Sequence, residues 1–158
     1  MDPIAVFAES PPPEAPVRID RLVVPTWQHA EWGRVFRHGV RRSLSAHEVL
    51  IQSGATDRSL HFVVDGNFEV GITYVDGMSM STVAQINAGT VIGEQSFFDG
   101  HPRSANVWAV SSGEILTLPF AAFETLAMEE PPLARDLTFA LARVLSLRLR
   151  NTTVRVRR

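Results

Sequence analysis

Glu94 and Arg103 stand nine residues apart, inside a stretch from Gly89 to Val107 that interrupts a β-prone region. If Glu94 to Phe98 form a turn or two of helix, their leading amides lack intrahelical acceptors and point toward an anion. Arg103, on the returning strand, adds a charge-assisted fork to the same anion. This is a phosphate pocket built without lysine, and the chain has none: all 15 of its Lys and Arg cations are Arg. A carboxylate beside a phosphate repels it unless the ligand also offers hydroxyl donors, which a ribose does. One Glu accepting from a 2′-hydroxyl and one Arg holding a singly charged phosphate together read a nucleotide whose sugar and phosphate lie side by side. Gly93 lets the backbone come close to that ligand, and Ser104 offers it a further hydroxyl.

Composition excludes much other chemistry. Cysteine is absent, which removes disulfide frameworks, iron–sulfur clusters, thiolate zinc sites and thiol nucleophiles. Without lysine there is no Schiff base and no P-loop. No Gly-x-Ser-x-Gly elbow or His-Glu-x-x-His helix occurs. His29, His38, His47, His61 and His101 are scattered singly, without the spacing that a metal enzyme of the cupin kind needs, and each reads as a surface or turn residue. No catalytic residue and no metal is expected, so the chain reads as a binding protein rather than an enzyme.

The elements that must position Glu94 and Arg103 follow from patterning. The 158 residues, 45% of them apolar, suit one compact domain. No run of about 18 uncharged apolar residues occurs, and the N-terminus lacks a secretory layout, so a cytoplasmic protein without a membrane segment is expected. Residues 1–25 read as a flexible leader, because Ser10-Pro11-Pro12-Pro13-Glu14-Ala15-Pro16 fixes φ and removes amide donors. From Thr26, read as an N-cap, to Val40 the apolar Trp27, Ala30, Val35 and Phe36 recur at loosely helical spacing.

Short β-prone runs then follow one another: Glu48 to Gln52, His61 to Val64, Phe68 to Val75, Ser81 to Ile86, Ala105 to Val110 and Glu114 to Leu118. Asp65-Gly66 and Asp76-Gly77 suit tight hairpins, and Gly54, Gly89, Gly100 and Gly113 mark other reversals. Strands at this spacing, with no helices between them, argue for an antiparallel sandwich or barrel.

After Pro119 the pattern turns helical. Phe120 to Ala127 make a short helix, Pro131-Pro132 interrupt the chain, and Leu133 to about Arg150 make a longer one. In that helix Leu137, Leu141, Leu145 and Leu149 repeat every four residues, with Ala140, Val144 and Leu147 on an adjacent face. The stripe is wider than one sheet covers. Either the helix meets a partner, most simply its own copy across a dimer axis, or it is a wide core-facing helix of a monomer. All 17 acidic residues lie at or before Asp136, while the last sixteen positions carry Arg143, Arg148, Arg150, Arg155, Arg157 and Arg158. Residues 151–158 read as a basic tail, a solvated helix end before a frayed terminus.

Gly93-Glu94 followed by Pro102-Arg103-Ser104-Ala105 resembles the phosphate-binding cassette of the cyclic-nucleotide-binding domain family, shared by bacterial catabolite activator proteins, kinase regulatory subunits and gated channels. Ser45 to Leu50 resembles the family's strand before its first core glycine, and Ser59 to Val70 its next hairpin, so the likeness covers about Leu44 to Arg150. It implies a mainly β fold, an antiparallel eight-stranded jelly roll with an N-terminal helix and C-terminal helices, spanning residues 26–150. By the same resemblance, Glu94 takes the ribose 2′-hydroxyl, Arg103 the cyclic phosphate, and Ser104 with the Ala105 amide completes the cradle. Val91, Ile92, Gly93, Gln95 and Ser96 line the same site. Occupancy passes through a hinge around Phe120 to Leu137, and the last helix closes over the base, where Arg148, Asn151 or Thr152 meets it.

The implied ligand is cAMP, favoured over cGMP, with no metal. The implied partners are this cyclic mononucleotide and a second copy, or a partner protein, bound through the C-terminal helix. Where many relatives have glycine in the turn before Glu48, this chain has His47, which changes a surface turn. Trp27, Trp32 and Trp108 read as core, and Phe97 and Phe98 as pins holding the cassette helix to the barrel. The eight residues after Arg150 are too few for the helix-turn-helix of DNA-reading relatives, so nucleic acid is not an expected partner. The competing reading is a nucleotide-independent jelly-roll module that docks on protein or nucleic acid through its basic terminal helix. Such binding would fall steeply with salt and ignore Arg103.

Overall fold

Among the described residues of the computed structural model, eight antiparallel strands form two four-stranded sheets. Residues 1–14, 18–73 and 80–156 are described; Ala15 and Pro16 of the proline run, Tyr74 and Val75, the Asp76-Gly77 dipeptide, and Arg157 and Arg158 lie outside them, as does the side chain of Arg155. One sheet has the order β1 (Val40–Leu44), β8 (Gly113–Leu118), β3 (Leu60–Asp65), β6 (Val91–Ile92). The other has the order β2 (Val49–Ile51), β7 (Asn106–Ala109), β4 (Asn67–Thr73), β5 (Met80–Asn87). This is the expected jelly roll, and among the described residues five helices accompany it: α1 (Pro3–Ala8), α2 (His29–Phe36), α3 (Glu94–Asp99), α4 (Phe120–Glu129) and α5 (Pro131–Val156).

β3 organises two cores. Val63 faces the space between the sheets with Leu44, Phe68, Ile92, Val107 and Ile115, while Leu60, Phe62 and Val64 face the helices. A strand buried on both faces reads as a continuous apolar run and not as an alternation. His61 is carried inside with it, 5% exposed, its Nδ1 2.9 Å from the hydroxyl of Thr117, its cross-strand partner. The surface reading therefore fails for His61, since a polar residue in such a strand has no water-facing side to occupy.

The connection at Asp65-Gly66 is not a hairpin. β3 and β4 lie in different sheets, and Gly66, at a φ of 90°, carries the chain across with no room for a side chain: a Cβ would stand 2.7 Å from the Gly113 Cα. The true hairpin partners are β4 and β5, paired from Asn67 with Asn87 to Thr73 with Met80. His47 sits at a φ of 72°, the left-handed region that glycine tolerates best. Two strands escape the sequence pattern. β1 exposes Val40 to Ser43 and buries only Leu44, and β6 is two residues long inside the cassette segment.

Several element boundaries differ from those expected. Within the span read as a leader, the described residues 1–14 and 18–25 include a capped helix and buried side chains. Asp2 caps α1, its carboxylate accepting from the Ile4 amide at 3.0 Å, and Pro3 occupies the first turn, where a missing N–H is harmless. Phe7 then enters the helix-side core, its ring centroid 5.3 Å from Trp32 and 5.6 Å from Phe62, and Leu22 and Val24 are buried too. α2 is capped by Gln28 and not Thr26, the Gln28 amide donating to the Glu31 carboxylate at 2.8 Å, and it ends at Phe36 because Val40 is already in β1. Pro131 and Pro132 open α5 where an interruption was expected, and the helix runs past residue 150 to Val156, with residues 151–154 exposed. Leu133, Leu137, Leu141 and Val144 face the core, while Phe139 and Leu149 are 76% and 67% exposed.

Candidate functional site

α3 is held between two glycines in the left-handed region, Gly93 at a φ of 87° and Gly100 at 70°. Gly93 has a second reason to be glycine: a Cβ there would lie 2.5 Å from Nη1 of Arg103. The Arg103 side chain is buried, and its guanidinium is fully oriented by the protein. Nη1 donates to the Gly93 carbonyl at 2.9 Å, and Nη2 to the Ser59 carbonyl at 2.6 Å. Nη2 and Nε also donate to the Asp57 carboxylate, at 2.7 and 3.4 Å. Hydrogen bonding from Arg103 holds the Asp57 carboxyl below its usual range. His61 is pushed down to about 4, first by burial and then by the charge of Arg103, so it is neutral at pH 7.

The turn that carries Asp57 also reaches α4. Arg58 donates to the carbonyls of Phe97 and Phe98 at 3.0 and 2.9 Å, and its guanidinium lies 3.7 Å from the centroid of the Phe120 ring. Phe97 packs its ring 5.4 Å from Phe120 and 5.2 Å from Phe123. These rings on α4 add to the place of Phe97 in the helix-side core beside Leu60, Phe62 and Leu118 of the roll.

Glu94 is buried, with Oε2 2.9 Å from Nη1 of Arg148 on α5. Arg148 donates further to the Val91 carbonyl at 2.9 Å, to the Thr90 hydroxyl at 3.2 Å and to Asp20 at 3.1 Å. Ser104 Oγ donates to Gln95 Oε1 at 2.9 Å. These groups share a cavity of about 910 Å³, lined by Ile92, Gly93, Glu94, Gln95, Ser96, Arg103, Ser104 and Ala105 on the cassette side and by Arg148, Asn151 and Thr152 of α5. Strands β4 and β5 of the second sheet add Val70, Ile72, Val83 and Gln85. Val91 alone among the sequence-predicted residues turns away, its side chain fully buried in the helix-side core. None of the three tryptophans lines the cavity: Trp27 and Trp32 are core, and Trp108 is half-buried on β7. A smaller cavity of about 390 Å³, between α2 and the α4–α5 elbow, lies apart from these residues.

Asp57, Ser59 and Asp20 escape the sequence reading. Each acquires its role from a residue far along the chain, Asp57 from one 46 positions away, and no local pattern marks that contact. Among the described residues no group of three or more His, Cys, Asp or Glu is placed to hold a metal, and no helix is long and apolar enough to cross a membrane. The cavity combines a buried arginine, a buried carboxylate, a hydroxyl and apolar walls. Its size lies within the roughly 300–1,000 Å³ of small-molecule sites, and this donor set suits a ligand with one anionic group, one hydroxyl and a flat apolar body.

Residues 41–130 match the family model described as the cyclic nucleotide-binding domain. The chain is 27% identical over 127 residues to the cAMP-activated global transcriptional regulator Vfr of Pseudomonas aeruginosa, covering 78% of this chain and 57% of that one. It is 31% identical over 112 residues to the cAMP-activated global transcriptional regulator CRP of Haemophilus influenzae, covering 70% and 48%. The chain spans about half the length of these curated relatives. A cyclic nucleotide-binding domain from Methylobacillus flagellatus shares the fold with a TM-score of 0.78 at 22% identity, covering 87% of this chain and 77% of that one. The matched segment holds nearly the whole roll, the cassette and α4, and the chain belongs to the cyclic nucleotide-binding domain family.

Proposed function

We propose that the chain binds a cyclic mononucleotide, cAMP ahead of cGMP, in the cavity between α3, the second sheet and α5, and passes occupancy to a second copy or a partner protein through α4 and α5. The observation that carries this reading is the convergence of buried Arg103, buried Glu94 and Ser104 on one cavity. Arg103 takes the cyclic phosphate, with Ser104 and the Ala105 amide beside it. Asp57, whose side chain is half exposed, is the one replaceable partner of that guanidinium, since the Gly93 and Ser59 carbonyls belong to the backbone. Glu94 accepts from the 2′-hydroxyl, and Asn151 and Thr152 lie along α5 where the base end reaches it. The activity named for the Pseudomonas and Haemophilus relatives supports cAMP as the preferred ligand.

The role is regulatory and not catalytic. Arg58 offers the route outward, because the turn that supplies Asp57 and Ser59 to Arg103 also grips the end of α3 and the face of Phe120. Nucleotide then favours one arrangement of α4 and α5 by as much as its affinities for the two arrangements differ. Equilibrium binding of labelled cAMP, competed by cAMP, cGMP and 5′-AMP after removal of any copurified nucleotide, tests the ligand class. The cyclic compounds compete and 5′-AMP does so at least about tenfold more weakly, as a doubly charged open phosphate does not match a single buried guanidinium. Failure of labelled cAMP to bind, with cGMP equally inert, returns the nucleotide-independent docking module.

A further inference from the structure

We propose that the segment Arg18 to Leu22 is a wall of the nucleotide cavity and that Asp20 is a positioning residue for Arg148, clamping the C-terminal half of α5 onto the roll. Its effect on affinity rests on the nucleotide reading; the clamp does not. The segment is built into the molecule. Leu22 is fully buried and its amide donates to the Gly89 carbonyl at 3.0 Å, while the Asp20 carbonyl accepts from the buried Thr90 hydroxyl at 2.7 Å. Arg21 donates to the Val6 and Glu9 carbonyls at 2.6 and 2.9 Å, tying the segment to the end of α1. Its guanidinium crosses Gly89, where φ is 93° and a Cβ would lie 2.5 Å from Nη1. Arg18 reaches β5, donating to the Gln85 carbonyl at 3.1 Å.

Arg18, Ile19 and Asp20 all line the cavity. Asp20 Oδ2 accepts from Nε and Nη2 of Arg148 at 3.2 and 3.1 Å, and Nη1 of the same guanidinium lies 2.9 Å from Glu94 Oε2. One planar fork thus spans two carboxylates. Asp20 holds the plane from the Nε side, and that plane fixes where Nη1 meets Glu94, the group assigned to the sugar. Arg143, earlier on α5, donates to the Arg21 carbonyl at 3.4 Å and ties the helix to the segment a second time. The N-terminal segment therefore joins the cavity's sugar-reading carboxylate to its lid helix.

The test uses the full chain as wild type, Asp20→Asn, Asp20→Glu, Arg148→Gln and the Asp20→Asn/Arg148→Gln double variant. Hydrogen exchange of α5 amides, measured on protein stripped of nucleotide, reads the clamp alone, and calorimetric titration with cAMP and cGMP reads its consequence. Asp20→Asn speeds exchange in the C-terminal half of α5 and weakens nucleotide binding, each about tenfold, the size of one lost charge-assisted contact. Asp20→Glu restores part of both, and in the Arg148→Gln background Asp20→Asn adds nothing, because Asp20 acts through that side chain. Unchanged exchange in Asp20→Asn, affinity equal to or tighter than wild type, or additive effects in the double variant would each overturn the proposal. If the wild type binds neither nucleotide, the proposed function fails and the exchange experiment alone decides the clamp.

Discussion

Two backbone carbonyls and one carboxylate aim the Arg103 guanidinium, so this residue belongs to the fold before it belongs to any ligand. A lysine at this place carries the charge without the planar fork, and cannot serve Gly93, Ser59 and Asp57 together. His61, on the strand that follows Ser59, gives the same neighbourhood a pH dependence. Its pKa falls from the ordinary histidine value of 6.5 to about 4 in the folded chain, through burial first and the charge of Arg103 second, with Asp57 acting in the opposite sense and Arg42 adding to the fall. Between these two values the unfolded chain binds a proton that the folded chain refuses, so stability is complete above pH 6.5 and falls as pH drops toward 4. The loss reaches about 3 kcal/mol. Denaturant unfolding at pH 7, 5.5 and 4.5 checks it: wild type loses stability across the series, while His61→Gln, which does not titrate, loses clearly less. Equal slopes for the two would show that His61 is not the source of the loss. Asp57 adds its own acid sensitivity only below its usual carboxylate range, since its folded pKa is lowered.

α1 shows how an element can hide from sequence reading and still carry stability. The signal was present in Asp2-Pro3 followed by Ile4 and Phe7, an N-cap, a first-turn proline and two apolar residues three apart, but the proline run from Ser10 outweighed it. Phe7 touches Trp32, Phe36 and Phe62, so Phe7→Ala removes one ring from a cluster that joins two helices to β3. It destabilises the domain by about 3–5 kcal/mol, measured by urea denaturation. A loss below about 1 kcal/mol would mean that α1 does not pack on the roll in solution. The strands between Glu48 and Leu118 were legible because their apolar runs are punctuated by glycine and aspartate. β1 and β6 were not, because a strand that buries one residue, or has only two, leaves no periodicity to read. In the site, Glu94 and Arg103 were legible as types at a spacing. Asp57, Ser59 and Asp20 were illegible because their roles are tertiary, and His61 because its strand has no outer face.

At the scale of the whole molecule, α5 serves two surfaces. Leu137, Leu141 and Val144 close the helix-side core, whereas Phe139, Ala142 and Leu149 stay exposed at spacings of three and seven along the helix, a face suited to a second copy. On the proposed reading the chain is a dimer through this face, and Phe139→Glu combined with Leu149→Glu halves the mass seen by sedimentation while leaving the fold intact. A wild type that sediments as a monomer at all accessible concentrations would move the output to a different partner. The regulatory role depends on the cavity being a nucleotide site. The measurement that tests this most directly is calorimetric titration of wild type and Arg103→Ala with cAMP and cGMP, with the circular dichroism of both proteins recorded alongside. Wild type binds at micromolar concentration or tighter, and the folded variant loses roughly 2–4 kcal/mol of affinity, because a phosphate charge left without its guanidinium is stranded in a partly dry pocket. A folded Arg103→Ala that binds as tightly as wild type would contradict the nucleotide assignment at its centre.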